Sequence, residues 1–139
     1  MQQIQSAVPK QPAQTSSPDE AATPAFCPTA KRRDEVAIEM CECLIDIAAA
    51  LFSVPSKELR KPGRTPVPVT RVRQICMYVA HVVLRLTMGD VGVGFGRDRT
   101  TVVHACQVIE DLRDDPEFDQ VVSMIERVAF AAFRNRLGL

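Results

Sequence analysis

No run of apolar residues in this 139-residue chain is long enough to cross a bilayer. The amino terminus also lacks a basic segment followed by an apolar stretch, the mark of a secretory signal. Both absences point to the cytoplasm. Net charge is missing as well: 17 Lys and Arg balance 17 Asp and Glu, which argues against a protein that coats nucleic acid without selection. The five cysteines (Cys27, Cys41, Cys43, Cys76 and Cys106) include no pair at zinc-knuckle spacing, and no Cys or His pair completes a metal site. They read as small, core-filling thiols on helices. His81 and His104 have no carboxylate or cysteine partner in sequence, so no catalytic constellation is evident and a binding protein, not an enzyme, is expected. Gly92, Gly94 and Gly96 surround Val93 and Phe95, but they follow no strand and lack the dinucleotide fingerprint spacing, so no nucleotide site is expected there.

What is present divides into a tail and a domain. Residues 1–33 carry Pro9, Pro12, Pro18, Pro24 and Pro28 among Gln, Ser, Thr and Ala. So few bulky apolar side chains cannot offset the entropy of ordering, and a disordered tail is predicted. Residues 34–139 can bury a small core. Charge within this domain is uneven. Between Lys57 and Ile109 nine Lys or Arg face three acids, a net +6, while acids collect at Asp34–Asp46 and Glu110–Glu126. One cationic face on a neutral particle follows.

Periodicity predicts helices throughout and no strand. Val36, Met40, Leu44, Ile47 and Leu51 recur at three- and four-residue steps between Asp34 and Phe52, with Glu35, Glu39, Glu42 and Asp46 outside. Ser53 and Pro55 end this helix, and residues 56–59 allow one more turn. Three prolines and a glycine then make residues 60–68 an extended basic loop. Thr70 is expected to cap a helix running to about Leu86, burying Val72, Ile75, Val79, Val82 and Leu86 and leaving Arg71, Arg73, His81 and Arg85 at its borders. Thr87 and Asp90 have capping-box spacing before a short helix at about 88–95. Gly96 is placed to stop it, and Asp98 to cap a further helix with a stripe of Val102, Ala105, Ile109 and Leu112. Asp115 and Pro116 open a last helix carrying Phe118, Val121, Val122, Ile125, Val128 and Phe133 inward.

A short helix, a glycine-bearing turn and a second helix make a helix-turn-helix at about 88–112, a unit whose second helix enters the major groove of duplex DNA. That second helix opens with suitable chemistry. The Asp98 carboxylate can accept from a cytosine amine, Arg99 can donate two bonds to guanine, and a threonine methyl of the Thr100-Thr101 pair can meet a thymine methyl.

Two strings here resemble a known family. Residues 70–80, TRVRQICMYVA, are similar to the RQIAMYLA segment of the bacterial replication initiator family DnaA, and residues 95–105, FGRDRTTVVHA, to its FGGRDHTTVLHA signature. The likeness covers about residues 36–112. It implies an all-α, Trp-repressor-like fold, that of the family's carboxy-terminal domain IV, which reads the DnaA box. It further implies that Arg64 enters the minor groove and that Arg73 meets a phosphate. Asp98, Arg99 and Thr100 occupy base-reading positions, Thr101 and His104 lie beside the backbone, and Met88 stands where thymine methyls are touched. Arg71, Arg85 and Arg97 complete the expected cationic surface. The chain departs from the pattern by one glycine fewer in the turn, Arg99 for histidine, Gly89 for proline and His81 for lysine. Arg99 is the change expected to shift which bases are read.

The family's nucleotide-hydrolysing domain has a Walker loop, and no G-x-x-x-x-G-K-[ST] occurs in this sequence. The expectation is a small, nucleoid-associated regulator of replication initiation or transcription whose partner is double-stranded DNA, with no nucleotide, cofactor or membrane. The alternative is a protein-interaction module that engages the replication initiator or its regulators.

Overall fold

The computed structural model describes residues 28–138. Six helices follow in order: α1 Pro28–Phe52, α2 Ser56–Arg60, α3 Val67–Val82, α4 Met88–Phe95, α5 Arg99–Leu112 and α6 Pro116–Phe133. No strand occurs among the described residues, so the domain is all-α as its periodicity predicts. The compact unit begins at Arg33.

The expected tail lies outside the described residues up to position 27; its last residues, 28–33, are helical and lead into the compact unit. Pro28 occupies the one place where proline suits a helix, its beginning, and Ala30, Lys31, Arg32 and Arg33 favour continuation. The buried face of α1 is also rotated from the expected stripe. Ala37, Met40, Cys41, Leu44, Ile45 and Ala48 are buried, whereas Val36 and Leu51 are exposed. The rotation has a cause in packing. A side chain at Gly94 would collide with Cys41 Sγ and approach the Ala37 carbonyl at 3.1 Å. α4 therefore lies on the small residues of α1, and the bulkier Val36 is left outside that contact.

α3 is the central element. It packs against α2, α4, α5 and α6, and residues 75–80 are all buried. Its start is corrected from Thr70 to Val67: Pro66 is the N-cap and Pro68 sits in the first turn, where a missing N–H costs nothing. Thr70 instead bonds the Thr65 hydroxyl at 2.8 Å and donates to the Thr65 carbonyl at 3.2 Å. The helix also ends earlier than expected, at Val82. Arg85 takes the left-handed conformation, φ 60, and the Leu86 amide reaches the Ala80 carbonyl at 3.2 Å. The chain thus turns away after α3 with arginine in the left-handed region where glycine is favoured. His81 Nδ1 donates to the Leu86 carbonyl at 2.8 Å across the same turn.

The signals around α4 hold. Thr87 and Asp90 form a reciprocal capping box, and Gly96, at φ 65, ends the helix in the left-handed region. Arg33 of α1 adds an ion pair to Asp90 at 3.0 Å. Burial opposes ionisation of the Asp90 carboxyl, but bonds from Arg33 and Thr87 outweigh it and hold the group below its usual range. α6 starts at Pro116 with Asp115 accepting from the Glu117 amide at 3.2 Å, and buries Val122, Ile125, Ala129 and Phe133.

Of the described cysteines, Cys41, Cys76 and Cys106 are buried and Cys43 is exposed. Burial pushes the Cys41 and Cys76 thiols up to about 12, so they stay neutral and unreactive in the core.

Candidate nucleic-acid interface

The turn between α4 and α5 is short because the two helices nearly touch. The Arg97 amide donates to the Gly92 carbonyl at 2.8 Å, and a Cβ on Gly92 would lie 2.7 Å from the Arg97 carbonyl. With one glycine in the turn, Gly96 alone supplies the reversal. α5 then leaves the body with Asp98, Arg99, Thr100 and Thr101 exposed and with Val102, Ala105, Cys106 and Ile109 buried beneath.

Asp98 has N-cap backbone geometry, φ −68 and ψ 152, yet its side chain makes no capping bond. Its expected capping role is thereby corrected. The consequence is chemical: the carboxylate at the tip of α5 is exposed and is not taken up by the amides of its own helix.

Beside that tip runs a groove of about 350 Å³ lined by Gly63, Arg64, Thr65 and Thr70, by Arg73, Gln74 and Met77 of α3, and by Arg97, Thr101, His104 and Ala105. Three arginines and a histidine line it, and no acid does. Arg64 and His104 are exposed and Arg97 half-buried. The groove thus brings together Arg64, Arg73, Arg97, Thr101 and His104 from the expected set, across three separate segments of chain.

Arg73 is not where the sequence pattern put it. At 5% exposure it is the one buried charged residue of the described core. Its Nε donates to the Leu59 carbonyl at 2.9 Å, Nη2 to the Glu58 and Lys61 carbonyls at 3.0 and 3.3 Å, and Nη1 to Thr65 Oγ1 at 3.3 Å. These acceptors include the last carbonyls of α2, whose partial negative charge suits a cation. Arg73 is spent on holding the basic loop. Burial lowers its pKa, and the nearby Arg97 lowers it further by repulsion.

The remaining predicted residues lie apart from this groove. Arg71 is half-buried and donates to Gln74 Oε1 at 2.8 Å. Met88 lines a second cleft, along α5, with His81, Val103 and Gln107. Arg85 lines a different groove, formed with Ser123, Arg127 and Phe130 of α6, and does not join the others. Sequence reasoning missed Thr65, Thr70 and Gln74 as lining residues. Gln74 had a signal: it is a polar residue one turn after Thr70 and Arg71, just before the apolar run that begins at Ile75. Thr65 and the Lys61 carbonyl had none, because their role depends on a buried arginine eight or more residues away.

The comparisons with known proteins agree with this geometry. Residues 41–109 match the family described as bacterial dnaA protein helix-turn-helix. Over 76 residues the chain is 38% identical to the chromosomal replication initiator protein DnaA of Acinetobacter baumannii (strain AYE), and 36% identical to that of Acinetobacter baylyi. The aligned part is 53% of this chain and 16% of each relative. The fold also superposes on a solved structure of replication initiator DnaA bound to AMPPCP and single-stranded DNA, with a TM-score of 0.64 and 19% identity. That likeness, which is one of fold, covers 81% of this chain and 35% of the other. By its motifs, its helix order and its sequence match, the segment 41–109 belongs to the bacterial DnaA helix-turn-helix family.

Proposed function

We propose that this chain binds double-stranded DNA in a sequence-selective way and acts as a regulator of replication initiation or transcription, located at the nucleoid in the cytoplasm. The observation that carries the reading is the acid-free groove of Arg64, Arg73, Arg97 and His104 beside the exposed opening of α5. Guanidinium groups brought together without a counter-charge raise the local potential, and a phosphate backbone relieves it.

In this reading α4 braces against the backbone and α5 enters the major groove. Asp98, Arg99 and Thr100 face base edges, while Thr101 and His104 flank phosphates and Arg97 adds positive charge beside them. Arg64, on the loop, takes the adjacent minor groove. Met88 and Arg71 extend the contact along the flanks of α5 and α3. Arg73 shapes the loop from inside, and Arg85 lies outside the surface.

Selection from random duplex DNA, with a DnaA box added as a known competitor, tests this. A single enriched site is expected. Arg99→Ala should then relax one base position at a cost of roughly 1–3 kcal/mol, leaving the others read as before. No enriched site, together with a protein partner retained at high salt after nuclease treatment, would instead make the domain a protein-interaction module.

A further inference from the structure

We propose that Arg97 is a positioning residue that locks the basic loop to the recognition helix, so that Arg64 and the tip of α5 read DNA as one rigid unit. The proposal rests on the DNA-binding reading above and assigns Arg97 a task other than gripping phosphate.

Arg97 is tied in three directions. Its amide donates to the Gly92 carbonyl of α4 at 2.8 Å, and its carbonyl side leads directly into Asp98 and α5. Its side chain crosses to the loop, where Nη2 donates to the Lys61 carbonyl at 2.9 Å. The loop between α2 and α3 has few other ties. Arg73 reaches the same Lys61 carbonyl at 3.3 Å and Thr65 Oγ1 at 3.3 Å, and Thr65 meets Thr70. Arg73 thus roots the loop in α3, whereas the bond from Arg97 to the Lys61 carbonyl joins it to the turn before α5. Two guanidiniums share one carbonyl oxygen although they repel each other, and the approach disfavours the charge on Arg73. A hydrated Arg97 would avoid that cost by turning outward. Its retention at the loop is what a brace requires.

Lysine separates a brace from a phosphate contact. It keeps the positive charge but lacks the planar fork that spans to the Lys61 carbonyl while leaving donors outward. The test uses the full chain with Arg97→Lys and Arg97→Gln. Without DNA, exchange of the Lys61 amide, which bonds the Glu58 carbonyl, should quicken about tenfold in both variants, while amides of residues 102–109 keep their protection. With DNA, each variant is measured on the selected duplex and on duplexes altered at the loop end or at the α5 end. Both variants should lose most discrimination at the loop end and keep it at the α5 end.

A uniform loss on every duplex in Arg97→Gln, restored by Arg97→Lys and with loop exchange unchanged, would overturn the proposal in favour of a simple phosphate contact. If the parent chain binds no duplex, the DNA reading and its coupled form fall together. The exchange measurement then still decides whether Arg97 holds the loop.

Discussion

At its C-terminal end α5 runs into Arg113, whose guanidinium meets Asp119 Oδ1 at 2.6 Å, Glu126 Oε2 at 3.0 Å, the Tyr78 hydroxyl at 3.2 Å and Ser123 Oγ at 3.1 Å. The group also lies over the Tyr78 ring, 5.6 Å from its centre. The bond to Glu126, with those to Asp119 and Tyr78, raises the Arg113 pKa further above its usual value. At the N-terminal end, Asp98, Arg99 and Thr100 are exposed, and the Asp98 side chain makes no capping bond. Both ends are rich in charge, but at one end the charges are consumed inside the protein and at the other they are left over. A reading helix needs both conditions. A fixed root keeps its tip in one orientation, so less ordering cost falls on binding, and an unspent tip has bonds to give.

Four substitutions sharpen or break this contrast. The largest effect is expected for Arg73→Met. It leaves the Leu59 carbonyl without its side-chain donor, takes one of two donors from the Glu58 and Lys61 carbonyls, and should cost about 3 kcal/mol of stability, read by urea denaturation. An unchanged midpoint would mean the loop is held without it. Arg113→Leu, at the root, should cost about 2 kcal/mol, less because the site is partly solvated and solvent can take up Asp119. Its DNA affinity should fall with little change in base preference, and a loss confined to one base would contradict the assignment of this end to anchoring.

Gly92→Ala gains helix propensity but sets a Cβ against the Arg97 carbonyl, for a net loss of about 1 kcal/mol. Displacement of the turn should make its effect on DNA discrimination larger than its effect on melting. Arg99→Ala closes the series, with a stability change within about 0.5 kcal/mol, as for any exposed residue outside special features. A drop in melting temperature of several degrees would show that the tip is part of the fold.

Much of the scaffold could be read from local pattern. The capping box at Thr87 and Asp90, the stop at Gly96 and the start at Pro116 depend on residues three or four apart, and all three occur where expected. The α5 stripe also holds, since one side of that helix meets the body and the other meets solvent. The pattern misleads where a helix has neighbours on several sides. Apolar spacing suggested an amphipathic α3 with Arg73 at its edge, but four helices surround it. For α1, spacing could not distinguish the Val36 face from the Ala37 and Cys41 face, because the choice belongs to Gly94 on another helix.

The sequence by itself determined the helices, their order and their caps, and which residue types stand at the tip of α5, because these follow from contacts within one or two turns of chain. Only the tertiary structure decided which charges remain available. Arg73 and Arg99 are the same residue type in the same basic stretch. One is drawn inside because the carbonyls closing α2 fold over it, and the other stays exposed because no side chain among the described residues bonds it. That difference arises from segments 12 to 15 residues distant, beyond the reach of any local pattern.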